Sequence, residues 1–193
     1  ARCLWWHGSG RTKNVTPHCT MDDEFQAYSL PPGDAPPADL AARLMRLPEL
    51  VHLHDNDVSF GWLMRNSSKH KGNKVELGSV HDVGTMFQGG FKDLGLQLLE
   101  VMLGYLPEFL VVLDAQFWQQ ADAKSREALV HHELLHVQQA IDRYGAPRFD
   151  RDGLPVFKCV AHDIEAFRAE VARFGAWRPD IADFLNTARS TGD

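Results

Sequence analysis

The chain has 193 residues, of which 44% are hydrophobic and 24% charged, so it contains enough apolar material for one packed domain. This composition excludes intrinsic disorder for most of the chain. The net charge is −6, and because residues 1–20 carry three basic side chains and no acid, the remainder stands at −9. A net-acidic body argues against a dedicated nucleic-acid binder, which needs a basic surface to neutralise phosphates.

Cysteine usage and apolar runs indicate the compartment. Three cysteines cannot form a disulfide framework, and no apolar run approaches the length of a membrane span. The first residues lack the continuous apolar stretch of a secretory signal. We therefore expect a soluble protein of the cytoplasm.

Residues 1–37 differ from the rest of the chain. They are basic at the start, have no apolar periodicity, and end in PPGDAPP, which cannot hold a helix or a central strand. We expect a mobile arm or extension over 1–37, one globular domain over 38–178 and a tail over 179–193.

Alternating strand and helix patterns fill the first half of the domain. The spacing of apolar residues predicts helices over 38–47 and 91–103, the second with Leu94, Leu98 and Val101 on one side. Residues 57–65 and 74–80 are strand-like, and the β-branched run 108–113 predicts a buried strand. The fold class is therefore α+β.

Two helices are predicted in the second half. The longer runs from Ala123 to Tyr144, with Asp122 as its N-cap, Gly145 after its end, and an apolar stripe that includes Ile141 and Tyr144. The last extends from Asp163 to about Phe174.

The chemistry is concentrated in residues 131–136, HHELLH, which contain the pattern H-E-x-x-H. On a helix, His132 and His136 lie one above the other and can bind a single metal ion. Glu133 is offset to the side, where it can accept a proton from a water that the metal activates. This pattern is expected by chance only about 0.02 times in a chain with so few histidines and glutamates, so it predicts a zinc site of the metallopeptidase type.

A catalytic zinc site needs a third protein ligand and one open position. Downstream, CVAHDIEAF offers His162 and Glu165, while Asp163 is expected to cap a helix and Cys159 reads as a small apolar residue. We favour His162 at the entry to the last helix and keep Glu165 as the alternative. Tyr105 could serve as an oxyanion donor, although nothing in the sequence favours this role over packing.

These segments together resemble the phage metallopeptidases, small HExxH proteins of bacteriophages and prophages that are related in shape to SprT-like zinc proteases. The resemblance covers about 39–178 and is carried by EFLVVLDAQFW, DAKSREAL, HHELLH and HDIEAFRAEVARFGAW. It implies a minimal zincin-like domain, in which a small twisted sheet packs on the HExxH helix and a following helix closes the site, and hydrolysis of peptide bonds with one zinc ion. His162 with Phe167 is similar to the third zinc histidine and later aromatic of SprT-like proteins, although Asp163 replaces their glycine.

We therefore predict a zinc metallopeptidase of a bacterial host's cytoplasm that acts on a protein or peptide. Two rival functions remain open. In one, the zinc only stabilises a phage interaction protein, with Cys159 or Glu165 closing the site as fourth ligand. In the other, the enzyme cuts DNA-bound proteins, with 65–74 as a local basic patch.

Overall fold

The computed structural model describes residues 27–34, 36–71, 74–162, 164, 171, 175–176 and 179–190. Its strands are β1 (Tyr28–Ser29), β2 (Phe60–Arg65), β3 (Lys69–Lys71), β4 (Lys74–Glu76), β5 (Gly78–Asp82), β6 (Phe109–Asp114), β7 (Val137–Gln139) and β8 (Phe157–Cys159). Its helices are α1 (Pro37–Leu44), α2 (Val51–His54), α3 (Val83–Met86), α4 (Lys92–Leu103), α5 (Ala115–Gln120), α6 (Ala123–Leu135) and α7 (Pro179–Ser190). The α+β fold class is confirmed.

A four-stranded sheet in the order β1-β2-β6-β5 forms the centre of the fold. β2 and β6 are parallel, and every residue of both strands is buried. Continuous apolar runs are typical of strands covered on both faces, so the buried strand predicted near 108–113 is confirmed. β5 pairs with β6 in the antiparallel direction and forms one edge of the sheet.

Helices cover the two faces of this sheet. Side chains alternate along β2 and β6, so Trp62, Val111 and Leu113 join a core cluster with α1 and α6, while Leu63 and Val112 join a second cluster with α4. The predicted helix over 38–47 is confirmed as α1. It starts at Pro37, and proline is common at the first position of a helix.

The prediction for the end of the long helix was wrong. Asp122 caps α6 as expected, its carboxylate accepting a hydrogen bond from the Ser125 N–H at 2.7 Å, but α6 ends at Leu135. The chain then forms β7, which pairs with β8, and the His136 carbonyl accepts a hydrogen bond from the Val160 N–H at 2.7 Å. Ile141 and Tyr144 are 60% and 78% exposed, so they do not extend a helical stripe.

Two similar turns replace the predicted end of that helix. The sequence repeats as I-D-R-Y-G-A-P and F-D-R-D-G-L-P, beginning at Ile141 and Phe149. In each copy the aspartate carboxylate, of Asp142 or Asp150, accepts two backbone N–H bonds within the turn. Each glycine then has positive φ, 82° and 81°. Gly145 therefore belongs to a turn and not to a helix end.

Leu94, Leu98 and Val101 share one face of α4, as predicted; that face is exposed, and Leu99 is the residue buried against the sheet. Within the segment expected as an arm or extension, Tyr28 and Ser29 pair with β2, and within the expected tail, residues 179–190 form α7 with Ile181 buried. Residues 1–26 and nearly all of the predicted helix 163–174 lie outside the described residues.

Candidate metal centre

The two histidines of the HExxH pattern lie at the C-terminal end of α6. His132 is in the last turn and His136 is the C-cap, which retains helical backbone angles. Their ring centroids are 5.0 Å apart. The spacing of four residues therefore places both imidazoles on one face, as the sequence predicts.

His162 approaches this pair from beyond β8. Its Nε2 atom lies 3.1 Å from Nε2 of His132, and its ring centroid is 4.6 Å from that of His136. One ligand atom from each of these three side chains lies within 4.8 Å of the others. Two nitrogen ligands of a tetrahedral zinc ion are about 3.3 Å apart, given Zn–N bonds of 2.0–2.1 Å, so the His132–His162 separation fits a shared ion.

Hydrogen bonding and burial prepare two of these imidazoles for a cation. Nδ1 of His136 donates to the Val160 carbonyl at 2.7 Å, which fixes the tautomer and leaves Nε2 with a free lone pair. Burial lowers the pKa of His132, and positive charge on the neighbouring histidines lowers it further. Both effects favour neutral imidazole, the form that binds metal.

Glu133 is buried beside these histidines, with 3% of its surface exposed. Burial raises the pKa of Glu133 to about 7, and the Glu76 carboxylate adds to the rise. Its carboxylate lies directly against Gly78, where a Cβ would be 2.8 Å from the Glu133 Cδ atom and would also overlap Oε1. The absence of a side chain at Gly78 therefore makes room for this carboxylate.

Glu76, the last residue of β4, is held by two cations. Arg65 and Lys69 each donate to its carboxylate at 3.0 Å, and Arg65 also donates to its carbonyl. The Arg65 guanidinium is buried and lies 3.8 Å from the Asp114 carboxylate. These contacts anchor the segment that leads into β5 to the ends of β2 and β6.

A cleft runs between α6 and the edge strand β5, with two depressions on either side of Glu133. One, about 450 Å³ in volume, contains the three histidines together with Val80, Cys159 and Val160. The other, about 490 Å³, contains Phe117, Ala128 and Leu129. Both are lined by Glu76, Gly78, His132 and Glu133, so they adjoin each other, and we call the two together the groove.

The edge of β5 presents backbone groups to this groove. Leu77 accepts a hydrogen bond from Asp114, and Val83 donates to Glu108, so residues 77, 79, 81 and 83 point their backbone groups towards β6. The N–H and C=O groups of Gly78 and Val80 therefore point away from the sheet. An extended peptide can pair with those of Gly78, whereas the Val80 carbonyl already faces the Cys159 thiol at 3.9 Å.

The other candidates have different positions. Glu165, the alternative ligand, lies outside the described residues. Cys159 lines the groove, but its Sγ faces the Val80 carbonyl at 3.9 Å, and it does not belong to the histidine cluster. Tyr105 donates to the Phe60 carbonyl at 2.6 Å, at the far end of β2, and His131 contacts Glu49.

Sequence reasoning missed Gly78 and Glu76. A signal for Gly78 was present, because a glycine inside a strand pattern marks close approach of another group. Nothing in the local pattern around Glu76 distinguishes it from a solvent-exposed strand residue.

Three converging imidazoles at the end of an HExxH helix, with a buried glutamate beside them, define an α+β protein with a candidate mononuclear metal centre. A family model described as "Putative phage metallopeptidase" matches residues 36–189, and the chain belongs to that family. No curated protein and no solved structure matches it significantly. None of the helices in the described part of the chain is long and apolar enough to cross a membrane.

Gly78→Ala tests the fit between β5 and the buried carboxylate. Alanine is normally favoured over glycine in a strand, but here its Cβ overlaps the Glu133 carboxylate. We expect kcat for peptide cleavage to fall about 10²-fold, because displacing a catalytic group by about 1 Å suffices for such a loss. The metal content is expected to stay unchanged. The measurement is steady-state kinetics beside metal analysis, with Gly84→Ala as control. Wild-type kcat in Gly78→Ala would show that this contact does not position Glu133.

Proposed function

We propose that this protein is a zinc-dependent peptidase in which His132, His136 and His162 bind the ion and Glu133 is general base and then general acid. The observation that carries the proposal is the convergence of three imidazoles in the same groove as a buried carboxylate. A purely structural site would not require that carboxylate, whose burial opposes its charged form.

The donor set supports zinc over harder cations. Three neutral imidazole nitrogens suit zinc, whereas magnesium and calcium select oxygen ligands. Among the described residues, the cluster offers three ligands and no fourth. Three protein ligands with one open position are the pattern of catalytic zinc sites, and the position of Cys159 outside the cluster agrees with that arrangement.

Each residue then has a defined task. If bound here, a zinc ion would supply a Lewis acid and an acidified water. Glu133 would accept the proton from that water and deliver it to the leaving amine. His136 is kept in one tautomer by the Val160 carbonyl, so its Nε2 is the ligand atom.

The sheet edge provides a way to position the substrate. An extended segment that pairs with the outward backbone groups of Gly78 lies along the groove, beside the histidine cluster. Main-chain hydrogen bonds of this kind recognise any extended peptide, so the substrate class is an exposed, unstructured segment of a protein.

The purified protein is expected to contain about one zinc per chain and to cleave an unstructured protein such as casein. Removal of zinc with a chelator is expected to abolish cleavage, and stoichiometric zinc to restore it, because the ion would supply the Lewis acid that lowers the pKa of the attacking water. Elemental analysis and a cleavage assay on one preparation provide the check. A protein that holds zinc but cleaves no unfolded substrate would support the stabilising role instead, and one without metal would contradict both.

A further inference from the structure

Helix α4 is apolar on two opposite sides. The inner side packs against the sheet and consists of Leu96, Leu99 and Leu103. The outer side is formed by four apolar side chains that are 50% to 77% exposed, namely Phe91 at the N-cap, Leu94, Leu98 and Val101. We call these four residues the outer seam. A helix that is apolar all round is normally buried, so the outer seam has the composition of a covered surface.

The spacing within the outer seam is that of a contact between two helices. Residues 91, 94, 98 and 101 follow one another at intervals of three, four and three, which is the a/d pattern of a coiled coil. The positions that flank such a seam within the helix are 95, 97 and 102, and they hold glycine, glutamine and methionine. The charged residues of α4, at 92, 93 and 100, lie off the seam. A second helix can therefore pack here without bringing a charge into the contact.

The exposed apolar area at α4 approaches what a stable dimer buries. Met102 beside the seam, and Tyr105 and Leu106 directly after the helix, are also 42% to 46% exposed. Together with the outer seam they expose about 700 Å² of apolar surface, since one fully exposed side chain of this size offers about 150–250 Å². The largest apolar patch of a typical monomer measures about 300–600 Å². Each partner in a standard interface buries about 800 Å².

The outer seam is complementary to itself. In an antiparallel pair of α4 helices centred on residue 96, Leu94 of each copy lies opposite Leu98 of the other, and Phe91 lies opposite Val101. One register therefore satisfies both pairs, and the largest side chain of the seam meets the smallest. A twofold axis requires the same patch on both copies, and twofold dimers are the commonest oligomers. These properties favour a second copy of the chain as the partner of this face.

We propose that the outer seam is the dimer interface of this protein, at which the α4 helices of two copies pack antiparallel about a twofold axis. The driving force is the burial of the exposed apolar side chains of both copies. α4 covers one face of the central sheet and α6 covers the other. The interface therefore lies on the opposite side of the sheet from the histidine cluster, and this inference does not depend on the proposed peptidase function.

Leu98→Glu tests the interface, and Leu154→Glu is its matched control. The two leucines are 59% and 62% exposed, but Leu154 belongs to the second of the two similar turns and not to the outer seam. Sedimentation equilibrium over a range of concentrations measures the mass, and circular dichroism establishes that each variant is folded. We expect wild type and Leu154→Glu to reach twice the 21.7 kDa of one chain. The dimer of Leu98→Glu is expected to be weaker by about 100-fold or more, because the contact would bury a charge without a partner.

A mixing experiment tests the antiparallel arrangement. Leu94→Glu and Leu98→Lys are each expected to be monomeric, whereas their equimolar mixture is expected to form heterodimers, because the introduced glutamate of one copy then lies opposite the introduced lysine of the other. Variants that stay monomeric when mixed would overturn the antiparallel arrangement. A wild type that stays monomeric at every concentration, or a folded Leu98→Glu that dimerises as tightly as wild type, would overturn the interface. The mass of wild type decides the proposal even if a variant fails to fold.

Discussion

Glu133→Gln is expected to abolish peptide cleavage while the protein keeps its zinc and its fold. Glutamine has the shape of glutamate but cannot accept the proton, so the loss falls on the chemical step and amounts to about 10²–10⁴-fold in kcat. Burial of the Glu133 carboxylate opposes its charged form and so costs folding free energy. Its replacement by a neutral amide is therefore not expected to lower the Tm. Steady-state kinetics, elemental analysis and thermal unfolding on one preparation measure all three quantities.

The control for this variant is Glu127→Gln, which makes the same chemical change at an exposed position on α6 and is expected to keep full activity. Loss of zinc from Glu133→Gln would make Glu133 a ligand, and retained activity would remove it from the mechanism. Either result would contradict the role assigned to Glu133. A variant that merely failed to fold would not.

His162→Ala is expected to weaken zinc binding by more than about 100-fold. The Nε2 atoms of His162 and His132 are 3.1 Å apart, so the alanine variant loses one of three nitrogens that face a common point. Removal of a group that only supports a ligand typically costs 10–100-fold, and removal of the ligand itself costs more. Competition with a fluorescent chelator, at a pH where the histidines are neutral, gives the affinity.

Two variants make this measurement specific. His131→Ala removes a histidine that contacts Glu49 instead of the cluster, and we expect it to leave zinc affinity unchanged. Glu165→Ala tests the alternative third ligand, and we expect a smaller effect than for His162→Ala. If Glu165→Ala releases the metal and His162→Ala retains it, the site has two histidines and one glutamate, and the assignment of His162 is wrong.

Features that depend on nearest neighbours in the chain were predictable. The i, i+4 spacing in HELLH brings His132 and His136 together on any helix, and Asp122 caps α6 because an aspartate at that position can accept the first free N–H groups. The run 109–113 forms a buried strand, which agrees with five consecutive apolar residues that include two β-branched valines. His162 was also identified, although only as the favoured of two residues.

The end of α6 shows why the same reasoning failed a few residues later. Val137 is fully buried and fits either a helical stripe or a strand, so the apolar pattern did not distinguish them. The strand is chosen because residues 137–139 pair with residues 157–159 and the Val160 N–H donates a hydrogen bond to the His136 carbonyl. The duplicated D-R-x-G-x-P turns were a readable signal against a helix through Gly145.

The amino-acid sequence by itself determined the fold class, the start of the HExxH helix and two of the three clustered histidines, because each follows from spacing along one element. Only the tertiary structure decided that His162 joins them, that Gly78 leaves room for the Glu133 carboxylate, and that Phe117 and Ala128 share a pocket. These features join residues far apart in the chain. Their positions depend on how strands and helices pack, which no local pattern encodes.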